Sequence, residues 1–210
     1  MADASPIILT AVRMEQKAIQ QTLLQRGLKN VRVECLGIGA KHFSKLSDLP
    51  SNREVWLCGL AGALDPRLAV ADVVVDGELS TANSRREVWR GKIVCASEIV
   101  SSPEKKAELF IRTNALAVDM ESDAVRAWTG DHGLQFLHIR AISDRADETL
   151  DPRVLGLVDE MGNPKPLSLA KALAGSPTLM PYLVKLGKNS KLALANLADV
   201  VVESVLQKRS

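Results

Sequence analysis

Aromatic residues are scarce in this sequence: Phe, Trp and Tyr together make up 3% of its 210 residues. A surface that stacks the bases of single-stranded nucleic acid needs aromatics at regular intervals, so that class of function is disfavoured. Charge of one sign is also lacking. Lys and Arg number 27 against 25 Asp and Glu, a formal net charge of +2, whereas a protein that grips a phosphate backbone shows a clear basic excess. The cysteines, Cys35, Cys58 and Cys95, are too far apart for a paired-cysteine zinc site and lie in apolar runs. They read as buried, reduced thiols. No apolar run approaches the ~20 residues needed to span a bilayer. The apolar start has no basic stretch before it, unlike a signal peptide. The expectation is a cytoplasmic protein with no nucleic-acid partner and no integral membrane segment. A chain of this length buries enough surface to need no disulfide or metal staple.

What is present is alternation. Apolar runs at residues 6–12, 31–36, 54–58, 71–75, 92–95, 116–118 and 135–141 read as strands. Between them, residues 15–26 carry apolar side chains at helical spacing and stop before Gly27. Residues 41–46 look helical, as do 121–128. Ser102-Pro103-Glu104 opens another helix, with Ser at the cap and Pro in the first turn. Strands alternating with helices indicate an α/β fold with a sheet covered on both faces. After Asp151 the pattern changes. Residues 158–165 look like a hairpin or extended turn around Gly162-Asn163, and 167–173 and 193–206 look helical, with Pro177 and Pro181 marking a break between them. No repeat or linker divides the chain, so one domain over 1–210 is expected, with 151–210 as a helical extension on the same core.

Three acidic segments follow predicted strands: Arg13-Met14-Glu15, Asp119-Met120-Glu121-Ser122 and Ser143-Asp144. In open α/β sheets ligands bind at strand ends. A carboxylate there is held by rigid backbone and partly desolvated, which suits it to proton transfer. Taken singly, each is as well explained as an acid complementing a helix N-terminus.

Taken together, the segments resemble the nucleoside phosphorylase and nucleosidase superfamily. GLAGALDPRLAVADVVV (59–75) is similar to its G-x-A-G-G-L-x-P-x-L-x-V-G-D-V-V segment. AVDMESDAV (117–125) is similar to V-[ED]-M-E-x-x-A-[IV], and IRAISDRAD (139–147) to V-R-x-I-S-D-x-A-D. ILTAVRMEQKAI (8–19) resembles the start of methylthioadenosine/adenosylhomocysteine nucleosidases. Order and spacing fit across roughly residues 7–150. The remainder, SSPEKKAELFIRTNALAVDMES, LVDEMGNPKPLSLAKAL and SPTLMPYLVKLGKNSKLALANLA, looks like the hopanoid-associated phosphorylases, which are assigned to removing adenine from adenosylhopane.

The resemblance implies a single-domain, three-layer α/β/α fold with a mixed central β-sheet, and an enzyme that cleaves the N-ribosyl bond of a purine nucleoside, most often a 5′-modified adenosine. It implies that Asp144 donates a proton to purine N7, oriented by Ser143. Glu121 would bind ribose hydroxyls, with Met120 packed on the sugar or base, and Glu15 would position the attacking water. Ala61 and Gly62 would line the anion or ribose side, and Ile99 is placed with the substrate-binding residues. No cofactor is required, although phosphate is a conceivable co-substrate. Breaking an N-ribosyl bond puts positive charge on the sugar and negative charge on the base. An acid at the base and carboxylates at the sugar answer those two charges.

There are departures from the pattern. Leu60 replaces a small polar residue and Ala63 a glycine, and the G-[DE]-P-x-R phosphate loop of other family members is missing. Arg13, Lys41, Arg85, Arg86 and Arg90 remain as candidate anion contacts. Glu15 favours water as nucleophile, while the subgroup favours phosphate. A non-catalytic nucleoside-binding protein on the same fold is the alternative. Gly37-Ile38-Gly39 reads as a strand-to-helix turn. His138 reads as a satisfied core or interface residue, and His42 and His132 as turn residues without a role. Trp56, Trp89 and Trp128 read as core or interface anchors. The cationic stretch 185–191 is read as a solvated turn in preference to a membrane-surface contact. Val88-Trp89 and the apolar stretch 177–184 lead to the expectation of a homodimer or larger homo-oligomer.

Overall fold

The computed structural model describes residues 5–46, 54–79, 87–176 and 178–209. Among them the chain forms strands β1 (Ile7–Thr10), β2 (Val33–Cys35), β3 (Glu54–Ala63), β4 (Val73–Asp76), β5 (Val88–Arg90), β6 (Ile93–Cys95), β7 (Ala117–Asp119) and β8 (Gln135–Asp144). The helices are α1 (Arg13–Gln25), α2 (Pro103–Thr113), α3 (Ser122–Asp131), α4 (Pro166–Gly175) and α5 (Leu179–Arg209). The main sheet runs β2-β1-β3-β8-β4-β5, with β7 pairing β3 and β6 pairing β7. The β1–β2, β1–β3, β3–β8, β4–β5 and β6–β7 pairs are parallel; β3–β7 and β4–β8 are antiparallel. The mixed α/β sheet expected from the sequence is what forms.

Local chemistry explains the elements. Ser102 caps α2 by accepting from the Lys105 backbone N–H, with Pro103 at the first helical position, and Asn114 closes it in the left-handed region at φ 51°. The centre of the molecule is apolar on both sheet faces. Ile8, Trp56, Ile139 and Val73 on one face pack with Ile19 and Leu23 of α1 and with Leu197, Val201 and Val205 of α5. Ile7, Leu9, Leu57 and Val125 form a second cluster. Helix α5 therefore shares the core of the sheet. Cys35 and Cys58 are buried free thiols; Cys95 is half-buried.

Three elements differ from the sequence reading. The glycine segment after Cys58 is not a loop: β3 continues through Gly59 to Ala63, because β8 pairs with it along most of its length and β7 joins at Gly62 and Ala63. Strand β5 is a three-residue edge strand of alternating composition that no apolar run announces. The stretch 185–191 is helical and not a turn. Pro181 sits in the first turn of α5, where a missing backbone N–H costs nothing, so the helix begins well before residue 193. The expected hairpin does form, with a bridge between Val158 and Pro164 and Gly162 at φ 75°.

Candidate active site

The C-terminal ends of β1, β3, β7 and β8 meet around a cleft of about 260 Å³. Glu15, Ala61, Gly62, Ile99, Met120, Glu121, Ser143 and Asp144 all line it, together with Ala11, Val12, Ile38, Leu60, Glu98, Val100, Val118, Asp119 and Leu150. Residues read from four separate sequence segments are thus gathered in one place.

Glu15 is buried at the start of α1. Its Oε2 accepts the backbone N–H groups of Ala11 (2.9 Å) and Val12 (3.0 Å), and its Oε1 accepts that of Leu60 (2.8 Å). A carboxylate offers about four acceptor positions, so one remains. Burial pushes its carboxyl above the usual range, opposed by Arg140 and by the N–H groups of Leu60 and Val12. Gly59 makes this arrangement possible. A Cβ there would overlap the Arg140 guanidinium and come within 2.6 Å of Glu15 Oε1.

Glu121 is the residue before α3, but its side chain does not cap the helix. Its Oε1 accepts the Gly39 N–H (3.1 Å) and its Oε2 lies 3.2 Å from Arg140 Nη2. The Gly37–Gly39 turn, with both glycines at positive φ, therefore holds the sugar-binding candidate in place.

Arg140, on β8, is fully buried at the centre of this group. Its Nη2 donates to Asp119 and Glu121, its Nη1 to Leu60 O (3.4 Å) and its Nε to His138 Nε2 (2.9 Å). Asp119 also accepts from the Ser122 hydroxyl (2.6 Å). Burial works against charge on Asp119, yet the Arg140 guanidinium, helped by the Ser122 hydroxyl, holds its carboxyl far below the usual range. Burial likewise opposes the charge on Arg140, but Asp119, Glu121 and Glu15 bind its proton more firmly. Burial keeps His138 neutral by lowering its pKa. Since Arg140 Nε always carries hydrogen, His138 Nε2 accepts from it and the imidazole hydrogen sits on Nδ1. That placement makes the 3.1 Å approach of Nε2 to Asp119 a contact without its own hydrogen. Nδ1 has no partner among the described residues, which corrects the reading of His138 as a satisfied core residue.

Asp144 lies at the end of β8 beyond a bulge. The β3–β8 register slips between Ala61 and Gly62, from Ile142 to Asp144, so that Ser143 is the extra residue. Without it Ser143 and Asp144 would face opposite sides of the sheet; with it both reach the cleft. The Ser143 hydroxyl donates to Asp144 Oδ1 (2.8 Å). Asp144 Oδ2 takes a bond of 2.6 Å from Lys106 Nζ, which is fully buried and also donates to the carbonyls of Arg145 (2.6 Å) and Glu148 (3.0 Å). All three ammonium hydrogens are thus committed.

Sequence reasoning missed Lys106, and it gave Arg140 no role. The signal for Lys106 was there in the α2 cap. Once Ser102 is fixed as the cap, Lys106 falls on the same face as Leu109, three residues on, and so points inward. Of the candidate anion contacts, Arg13, Lys41 and Arg90 lie outside the cleft lining. Lys41 pairs with Glu160 (3.0 Å), and Arg90 donates to Leu79 O (2.6 Å). Arg85 and Arg86 lie outside the described residues. The two buried cations near the cleft, Arg140 and Lys106, are already tied to carboxylates.

Carboxylates from the ends of β1, β7 and β8, gathered beside the β3–β8 pair, make this cleft the candidate active site of an α/β fold. Residues 76–173 match the family model described as the phosphorylase superfamily. No curated protein sequence matches the chain. Among solved structures, the chain is similar to the 5′-methylthioadenosine/S-adenosylhomocysteine nucleosidase of Neisseria meningitidis in complex with methylthio-immucillin-A, at 20% identity and a TM-score of 0.65, covering 97% of this chain and 99% of that one. It is similar to the 5′-methylthioadenosine nucleosidase of Arabidopsis thaliana at 12% identity and a TM-score of 0.65, over 100% and 98% of the two chains. The futalosine hydrolase of Helicobacter pylori matches at 16% identity and a TM-score of 0.62, over 97% and 98%. The superfamily resemblance holds: the family model spans two of the four segments, 117–125 and 139–147, and the solved structures share the fold over nearly the whole chain.

Proposed function

We propose that the protein hydrolyses the N-ribosyl bond of a 5′-modified adenosine and releases adenine. The observation that carries this reading is the convergence of Glu15, Glu121 and Asp144 on one cleft, each with a different set of partners. Asp144, held by Lys106 and Ser143, serves the base. As the C1′–N9 bond breaks and its electron pair moves to the purine, Asp144 passes a proton to N7, and Lys106 at 2.6 Å can restore it. Glu121, fixed by Gly39 and Arg140, grips the ribose hydroxyls. Glu15, with its raised pKa and one open acceptor position, holds the water that attacks C1′ and takes its proton. The flanking Ala61, Gly62, Met120 and Ile99 shape the cavity around sugar and base.

Water is favoured over phosphate because a dianion needs several convergent donors. Among the described residues, the lining includes no Lys or Arg, and the Leu60 N–H is occupied by Glu15. An apolar 5′ substituent is supported by Ile38, Ile99, Val100 and Leu150 in the lining. A second hollow of about 460 Å³ is lined by Thr149, Asp151, Arg153, Thr178, Leu179 and Tyr182, two of which flank Leu150 in sequence. The test is adenine release from a panel of 5′-substituted adenosines, with and without phosphate, following the sugar product. Free ribose derivatives without phosphate are expected. Strict phosphate dependence would remove the hydrolytic assignment, and a preference for inosine or uridine would remove the substrate class.

Of the two segments behind the expected homo-oligomer, Trp89 is partly covered within the chain, with the Arg67 guanidinium 5.4 Å from its ring centroid. In the other, at the start of α5, Leu179 is buried, while Met180 and Val184 are about half exposed.

A further inference from the structure

Between Glu160 and Asp199 the sequence contains no Asp or Glu and five lysines: Lys165, Lys171, Lys185, Lys188 and Lys191. The chain as a whole is only +2, so the rest of the molecule is net acidic and its positive charge is concentrated here. The same stretch holds the largest display of uncovered apolar side chains. Helix α4 is built mostly of Leu and Ala, yet none of its residues is buried, and Leu167 is 85% exposed. On the first half of α5 the exposed residues recur at helical spacing: Met180, Val184, Lys188, Lys191 with Leu192, and Ala195. Met180, Val184 and Leu192 are each about half exposed. Apolar residues and lysines thus alternate along one stripe. Lys185 is paired with Glu148 (2.5 Å). Lys171, Lys188 and Lys191 meet no carboxylate among the described residues.

We propose that the α4–α5 face is a docking surface for an anionic lipid bilayer. The chemistry of the stripe selects that occupant. Leucine, methionine and valine side chains enter the headgroup–acyl boundary, while lysine stems lie along it and carry their ammonium groups to lipid phosphates. A second copy of the chain fits less well. In a two-fold interface the patch meets itself, setting lysine against lysine in a stretch that offers no carboxylate to separate them. The inference is independent of the reaction proposed for the cleft.

The experiment is co-flotation of the full-length protein with phosphatidylcholine vesicles, with and without phosphatidylglycerol, at low and high salt. Binding to the phosphatidylglycerol vesicles is expected, weakening as salt screens the lysines. Each lysine near such a surface strengthens binding about fivefold, so the triple variant Lys171→Glu, Lys188→Glu, Lys191→Glu should lose at least about a hundredfold in partitioning. Leu167→Asp with Val184→Asp should also abolish flotation. All variants are at exposed positions, and circular dichroism checks that they remain folded. Absence of flotation of the wild type, or equal flotation with both vesicle types, would overturn the proposal. So would self-association without lipid, by sedimentation, that Leu167→Asp with Val184→Asp dissolves, since the face would then belong to a second copy.

Discussion

The two ends of the cleft solve the problem of buried charge in opposite ways. At the β7–α3 end one guanidinium, Arg140, serves three carboxylates, Asp119, Glu121 and Glu15, beside a neutral imidazole. At the β8 end one ammonium, Lys106, serves one carboxylate, Asp144. The first end has more carboxylates than cations; burial makes Glu15 resist ionisation, while the Arg140 guanidinium keeps Asp119 ionised. Such a surplus favours a developing positive charge, as on a ribose ring losing its base. The second end is balanced and short-range, which suits the movement of a proton to a departing purine.

The largest effect is expected where the shared cation is removed. Arg140→Met leaves three carboxylates buried around a methyl thioether, and breaking a buried pair costs about 3–5 kcal/mol. Chemical denaturation should show a loss at least that large; a loss under about 1 kcal/mol would mean the cluster is not held by Arg140. Gly59→Val should disturb the same end with a smaller loss of stability, since a side chain there meets Arg140 and Glu15. Its activity should fall more than its folding, and unchanged turnover would contradict the close packing.

At the other end, Lys106→Met should lower kcat by about 10²-fold or more, the low end of what a positioned proton donor supplies, with little change in KM. Stability will also fall, so the decisive readout is the pH profile. Removing the ammonium also removes its bond to Asp144 Oδ2, the proposed route of proton resupply, so the pH dependence of kcat should change. Lys106→Arg, which keeps the charge, should recover part of the rate. Equal profiles for wild type and Lys106→Met would reduce Lys106 to a packing residue.

The smallest effect separates two carboxylates of the Arg140 end by pH. The Asp119 carboxyl is held below its ordinary value of 3.8 in the fold, so the folded state binds fewer protons than the unfolded one in acid. Its contribution is present above pH 3.8 and is lost as pH falls through the folded value. Glu15 has the opposite sign: raised above 4.5, it makes stability fall as pH rises through the region above 4.5. Denaturation midpoints against pH should therefore show a shallower acid limb in Asp119→Asn and a flatter region above pH 4.5 in Glu15→Gln. The same slopes as wild type in both would remove the assigned ionisation states.

The comparison also shows what a sequence can and cannot display. Glu15, Glu121 and Asp144 were legible because each follows an apolar strand, and strand ends converge in an α/β sheet. The strands that become β3 and β8, and the α2 cap, were legible from apolar runs and from Ser102-Pro103. Lys106 was not, because a lysine on a helix ordinarily faces water, and only the register set by the cap turns it inward. The Arg140 network was hidden for a related reason. Its partners come from β7, α3, α1 and β8, and no local pattern reports that three carboxylates share one cation. The continuation of β3 through Gly59–Ala63, four of whose five residues are glycine or alanine, was hidden as well, because composition points to a loop and only pairing with β8 and β7 makes it a strand. Helix α5 began earlier than expected because a proline in a first turn does not break a helix.

The central claim, that these carboxylates cleave an N-ribosyl bond with water, is tested most directly by adenine release from a 5′-alkylthio-adenosine in phosphate-free buffer, comparing wild type with Asp144→Asn. The substitution keeps the shape and the Ser143 contact but cannot pass a proton to N7. The account predicts adenine and a free sugar from the wild type, and a rate lower by about 10²–10⁴-fold in the variant with the melting transition retained. Near-equal rates in the two proteins, or no adenine from the wild type, would contradict it.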